Sequence, residues 1–363
     1  MRRNSELSIR LRRLLGALKF PLISVAVGLL VGGAIIAFSG HNGWEGVKGL
    51  LVGGFGSMHA VTTTLNRATP IIFAGLSSAL AWGSGYASMG ISGQMILGAL
   101  TSSVVAVACP GPAPLVAAVS LIAGMAAGML YALLAAWISA RFEASLLIIT
   151  LMLNYIADNS ASYLTTYTFR DPTAADRLAV QTQKITGAIL PRLFSKYTVH
   201  WGFVLAVVFV LIMLFITRRT SFGYRARMSG LNPRFAEYGG VDSLKTMYLM
   251  MLLSGAMAGL GGAAEALGTR FRYVDKMITS PGYAWSGITA SLMSSNHPLG
   301  VLLSSIFLAG LTTGGASIEL TMNTPSEITS IIQGVLTMLV TAKFAVGWFR
   351  RRRSQRKGVS RDV

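Results

Sequence analysis

Long apolar runs dominate this chain, and its polar residues are confined between them. Residues 68–140 contain no Asp, Glu, Lys, Arg or His, and in residues 277–318 the one ionisable side chain is His297. The runs do not alternate, as the strands of a membrane barrel do. A helix needs about 20 apolar residues to cross the hydrocarbon core. The pattern predicts helices over residues 20–38, 70–86, 91–108, 113–140, 145–163, 201–217, 247–267, 283–294, 298–316 and 327–345. The expected fold is an all-α polytopic membrane protein with about ten transmembrane helices, some short or broken. An even number of spans places both termini on one side.

Two stretches interrupt the regularity. Residues 44–67 are rich in Gly, Ser and Thr and only moderately apolar, which predicts an interfacial or re-entrant piece on the outer side. Residues 283–294 are too short to span at about 1.5 Å per residue. Segments 81–98 and 282–298 are both interrupted by Gly or Pro and fall in corresponding places. Such pairs mark inverted halves with a binding site between them. They predict two weakly repeated halves around the loop 166–200.

Composition agrees with a bilayer setting. The 363 residues are 53% hydrophobic and 12% charged, with mean hydropathy +0.59; soluble domains carry about 25% charged residues. The net charge of +18 is not a nucleic-acid footprint, because the basic residues gather in three places. They are Arg2, Arg3, Arg10, Arg12, Arg13 and Lys19 at the start, the loop 218–245, and the run from Lys343 onward. The positive-inside rule then assigns the tail 1–19, the loop 218–245 and the tail 346–363 to the cytoplasm. The transmembrane domain is 20–345, and the loop 166–200 is extracytoplasmic. The basic start followed by an apolar run mimics a signal peptide. Its apolar stretch exceeds the usual 7–15 residues, so it is expected to remain as the first helix. Cys109 has no partner for an internal disulfide and reads as a small hydrophobe.

Small residues recur four apart at Gly28/Gly32, Gly124/Gly128, Gly255/Gly259 and Gly310/Gly314, a spacing that lets helices approach closely in lipid.

Intramembrane polar groups are costly and therefore informative. They are Gln94, Asn154, Asp158, Glu265 and the pair Asn296-His297. Gln94 and Asn154 either touch a polar solute or join helices. Asp158 and Glu265 lie near helix ends, which favours interfacial positions. His297 precedes Pro298, which favours a turn or capping role over proton transfer. No catalytic grouping, metal-ligand set or phosphate-binding Gly-x-x-x-x-Gly-Lys motif occurs. If the chain transports actively, its energy comes from another chain or from an ion gradient. The acid-free runs weigh against the second alternative, an ion-coupled secondary carrier.

The loop 218–245 is long, basic and punctuated. Gly223 and Gly230 break or cap helices, and Asn232-Pro233 is a helix-start signal. The spacing predicts a short helix over 233–238, stopped by Gly239-Gly240. Such a helix suits a groove on a cytoplasmic partner; an ordinary basic surface loop is the other reading.

Five stretches in order carry a resemblance. They are Gly223-x-x-x-Arg227-x-x-Gly230-x-Asn232-Pro233-x-x-Ala236-x-Tyr238-x-Gly240; Gly75-Leu76 through Gly93-Gln94 and Gly98-Ala99; Thr150 to Ala157 with Asn154-Tyr155; Leu190-Pro191-Arg192-Leu193; and Gly287-Ile288 to Leu299-Gly300, then Ile332-Gln333-Gly334. Together they resemble permease subunits of ABC importers in the branched-chain amino acid, ribose and nucleoside group, most of all the nucleoside branch. The resemblance implies that Gly223, Arg227, Gly230, Asn232, Pro233, Ala236, Tyr238 and Gly240 couple the chain to a cytoplasmic ABC ATPase. It implies a solute pathway near Ser88, Ser92, Gln94, Asn154, Trp285 and Ser286. It implies a second permease subunit, in a heterodimer, and an extracytoplasmic substrate-binding lipoprotein, in a bacterial cytoplasmic membrane. ATP and magnesium would sit on the ATPase, with no cofactor on this chain. Where the family often has Asn and Glu, this chain has Ser88 and Ser92, and Ser286 stands where an acid is common. The expected solute is a neutral ring compound such as a nucleoside, with a simple sugar as the alternative.

Overall fold

The computed structural model describes residues 42–172 and 179–322, with isolated positions near either end. The predicted helices 20–38 and 327–345, both tails and the placement of the termini lie outside the described residues.

Helix α1 (Gly43–Phe55) is capped by Asn42, whose side chain accepts from Trp44 N. Helix α2 (Met58–Gly83) is capped by Ser57, whose Oγ accepts from Ala60 N at 3.1 Å. The stretch 44–67 is α1 plus the opening turns of a 26-residue helix that runs through Pro70. Its hydroxyls mislead a hydropathy reading because the helix satisfies them. Thr62 Oγ1 donates to Met58 O at 2.9 Å and Thr69 Oγ1 to Leu65 O at 3.1 Å.

The other helices are α3 (Ile91–Ala108), α4 (Ala113–Phe142), α5 (Leu146–Tyr167), α6 (Trp201–Arg219), α7 (Ser221–Leu231), α8 (Pro233–Tyr238), α9 (Ser243–Glu265), α10 (Tyr283–Met293) and α11 (Pro298–Met322). A π-helical turn, Ala266–Arg270, extends α9. Every regular element among the described residues is helical. Five helical segments are long and apolar enough to cross a membrane: Ile91–Ala108, Ala113–Phe142, Trp201–Arg219, Ser243–Arg270 and Pro298–Thr321. Helices α2 and α5 reach 26 and 22 residues but are more polar.

The packing joins helices distant in sequence. Helix α9 packs on α3 and α4, while α2 packs on α10 and α11; α3 also meets α4, and α10 meets α11. The two trios join where α2 crosses α9. There Ser254 Oγ donates to Ser77 O at 3.0 Å, and the two hydroxyl oxygens stand 2.9 Å apart.

Three of the four-spaced glycine pairs lie at such crossings. A Cβ on Gly128 would overlap the carbonyl oxygen of Gly255, and one on Gly259 that of Gly124. On α11, a Cβ at Gly314 would overlap the carbonyl of Leu50 in α1. Backbones touch at these points, so dispersion contacts and weak Cα–H···O bonds hold the helices together where water gives no hydrophobic push. Gly28/Gly32 falls outside the described residues.

Loops 84–90 and 218–245 and the turn 294–297 gather at one end of the bundle through contacts of Tyr86 with Ser229 and of Arg218 with His297. Segments 179–200 and 266–282 gather at the other. There Thr182 N donates to Tyr273 O at 2.9 Å and Leu190 N to Leu267 O at 3.1 Å.

Candidate functional site

The loop 218–245 is a folded element. Thr220 Oγ1 accepts from Gly223 N at 3.2 Å and starts α7, a helix the sequence pattern did not announce. Asn232 Oδ1 accepts from Phe235 N at 3.1 Å and starts α8, which covers 233–238 as its start signal predicts. Gly240, at φ 76, turns the chain in the left-handed region that favours glycine. Asp242 then caps α9, accepting from Lys245 N at 3.0 Å. That backbone bond, with the Lys245 ammonium 3.2 Å away, holds its carboxyl below the usual range.

The membrane body grips this element. Tyr86, in the α2–α3 connection, donates its phenol hydrogen to Ser243 O at 2.9 Å. Its oxygen lies 3.0 Å from Ser229 Oγ, and since the phenol has one hydrogen, Ser229 is the donor there. A Cβ on Gly230 would come within 2.5 Å of Ser84 C, so glycine lets α7 seat against the connection. Gly223 abuts the carbonyl of Ile216 at the end of α6. Ala226 and Ala236 are buried. Arg218 touches His297 across the turn before α11. Burial, and then Arg218 and Arg227, hold the His297 imidazolium below its usual pKa.

The opposite face of the element is open and aromatic. Tyr238 is 93% exposed and Phe235 59%, with Leu231, Leu244 and Tyr224 also exposed. Arg227 is exposed beside them. Glu237, Gly240, Val241, Asp242, Ser243 and Leu244 line a shallow concavity next to α8. Tyr86, Ser229 and Ser243 were not legible in the sequence, because their roles depend on residues 143 and 157 positions apart meeting.

The pathway candidates divide between two places. Ser88, Gln94 and Asn154 meet at the start of α3. Asn154 Oδ1 accepts from Gly93 N at 2.8 Å and its Nδ2 donates to Met89 O at 2.7 Å, so both ends of the amide hold backbone. Ser88 is buried, and its carbonyl accepts from Trp82 Nε1 at 3.0 Å. Gln94 is buried, and its Oε1 has no hydrogen-bond partner among the described residues. Ser92 is half-buried. Trp285 and Ser286 stand apart, in the first turn of α10, with Trp285 60% exposed.

Two expectations for the acids separate. Asp158 is not near a helix end: it stands in the middle of α5, the thirteenth of its 22 residues, and accepts from Thr279 Oγ1 at 3.1 Å. Glu265 ends α9 and is buried within the protein, 1% exposed, accepting from Tyr283 Oη at 3.2 Å. Its terminal place in α9 suggested exposure, but the π turn and the 271–282 segment cover that end. Among the described residues no group of three or more His, Cys, Asp and Glu could hold a metal.

A helical membrane body that grips a structured loop on one face defines a transport permease. Residues 60–341 match the family described as branched-chain amino acid transport system, permease component, and the chain belongs to that family. It is 31% identical to a guanosine ABC transporter permease protein of Bacillus subtilis (NupP), over 92% of this chain and 95% of that protein. It is 28% identical to a nucleoside ABC transporter permease protein of Lactococcus lactis (NupB), over 90% and 91%. It is 31% identical to a glucose ABC transporter permease protein of Haloferax volcanii, over 89% and 87%. As a member of this family the chain is a membrane subunit that is not itself catalytic.

Proposed function

We propose that this chain is the translocating subunit of an ATP-driven importer for a nucleoside. A separate cytoplasmic ATPase seats on α7 and α8 through Phe235, Tyr238 and Arg227. Gly223, Gly230, Asn232, Pro233, Ala236 and Gly240 give that surface its shape. The observation that carries the reading is a loop gripped by the membrane body on one face and aromatic on the other, in a chain with no nucleotide-binding motif. Exposed aromatic and Arg side chains are the usual anchors of a protein interface.

The finer reading follows the same line. The body has about ten spans in two inverted halves, which the exchange of α2 and α9 between trios supports. Basic ends and a basic loop put both termini and α8 in the cytoplasm of a bacterial inner-membrane protein. A substrate-binding lipoprotein delivers solute to the opposite end, and a second, different permease completes the pathway. Ser88, Ser92, Gln94, Asn154, Trp285 and Ser286 lie along that pathway or support it. A simple sugar is the second reading for the solute, favoured by the glucose permease relative.

The test is uptake into vesicles holding this chain with its ATPase, second permease and lipoprotein. Guanosine uptake that requires ATP and persists with an uncoupler supports the reading. Uptake that ignores ATP and collapses with the uncoupler points to an ion-coupled carrier.

A further inference from the structure

Glu265 is a buried carboxylate with few and loose partners. Its Oε1 lies 3.2 Å from Tyr283 Oη and 3.7 Å from Arg270 Nε. Arg67 stands within electrostatic reach of both Glu265 and Tyr283. Arg67 in turn reaches Thr312 O at 3.4 Å.

A structural role explains this cluster poorly. A buried ion pair offsets its desolvation only with good geometry, and apolar residues often serve packing as well or better. Here the Arg270 side chain is half exposed and offers one nitrogen at 3.7 Å, not a two-point fork. The backbone around it is also unusual. Glu265 is followed by the π turn Ala266–Arg270, and such turns are frequent at functional sites. Phe271 at φ 58 and Gly282 at φ 67 bracket the segment leading to α10. Helix α10 has 11 residues, too few to span, so Tyr283 stands at the start of a broken helix within the body. Broken helices of this kind build solute sites in transporters.

We propose that Glu265 and Tyr283 form a hydrogen-bonding station for hydroxyl groups of the solute, engaged when the α9–α10 contact opens; this rests on the permease reading above. The carboxylate accepts from ring hydroxyls. The phenol, released from Glu265, donates to a solute oxygen. Arg270, with Nε 3.7 Å from the carboxylate, stays on the protein side and does not bind the solute. The ligand class is a neutral polyhydroxylated ring, which ribose in a nucleoside and a hexose share.

The experiment uses the complete transporter in proteoliposomes at saturating solute and lipoprotein, comparing guanosine with its 2′-deoxy and 3′-deoxy forms. Glu265→Gln and Tyr283→Phe are the variants, with basal ATPase activity reporting assembly. The expected result is a guanosine rate lowered about ten-fold, the loss of roughly one charge-assisted hydrogen bond. At least one deoxy form should change by less than about two-fold, so that discrimination disappears. An equal fall for every solute, no change, or failure of both variants to assemble overturns the proposal. A wild-type complex that carries no nucleoside instead overturns the nucleoside reading. The same comparison with glucose and its deoxy derivatives then decides the station.

Discussion

The phenol of Tyr86 donates to the carbonyl of Ser243 at 2.9 Å, tying the α2–α3 connection to the first residue of α9. With Ser229 bound to the same oxygen, one side chain joins the last turn of α7 to the start of α9. The connection continues at Met89, whose N donates to Thr150 Oγ1 at 3.0 Å and whose O accepts from Asn154. Hydrogen bonds thus run from α7 and the start of α9, through the α2–α3 connection, to α3 and α5. Tyr86→Phe should leave the complex assembled, since its two lost bonds contribute about 1 kcal/mol each. Solute uptake should fall several-fold while ATP hydrolysis continues. The ratio of ATP hydrolysed to solute transported checks this, and an unchanged ratio counts against it.

The side chains of Phe235 and Tyr238 are exposed. Changing both to Ala should shift the melting temperature of the isolated subunit by less than about 2 °C, as surface changes do. Co-purification of the ATPase should be lost.

Gly230 has no room for a side chain. Gly230→Val should push α7 off the α2–α3 connection by colliding with Ser84. The expected destabilisation is about 1–3 kcal/mol, with uptake abolished. Gly239, whose nearest neighbour would be 3.3 Å away, should accept Ala with little loss. Thermal unfolding in detergent separates the two.

Gly128→Leu tests the α4–α9 crossing. The carbonyl of Gly255 occupies the place of its Cβ, so the helices must separate. A stability loss of about 1–3 kcal/mol is expected, measurable as a lower unfolding midpoint.

His200 gives a pH dependence. It caps α6 through Gly202 N, which donates to Nδ1 at 3.0 Å, and it packs against Gly268. Burial lowers its pKa to about 4 from an ordinary 6.5. The folded state therefore holds it neutral, while the unfolded chain takes up a proton first. Its contribution is complete above pH 6.5 and is lost as pH falls toward 4. The melting temperature should drop across that window, and His200→Gln should flatten the drop.

Helix positions and type were legible because long apolar runs have few other solutions. Residues 91–108 and the start of α8 came out as drawn, the one fixed by an unbroken run, the other by Asn232-Pro233. The opening of α2 was not legible, because Thr62 and Thr69 look polar to a scale that cannot see their bonds to the helix itself. Nor was α7, whose cap Thr220 sits among basic residues without an apolar stripe. For the candidate site, the loop stood out by charge and punctuation, whereas Tyr86 and Glu265 depend on contacts across the bundle. Glu265 in particular lies at a helix end in sequence but beneath a folded segment in space.

The exchange of α2 and α9 between trios also bears on biogenesis. While the chain is being made, α2 emerges well before α10 and α11, the helices that cover it. Until then its Ser77 and Ser78 face lipid or the insertion machinery, and α3 and α4 lack α9. Neither half closes alone, so final packing waits for the last helices. A chain split in the loop 179–200 should assemble when both pieces are co-expressed, and each piece alone should be degraded.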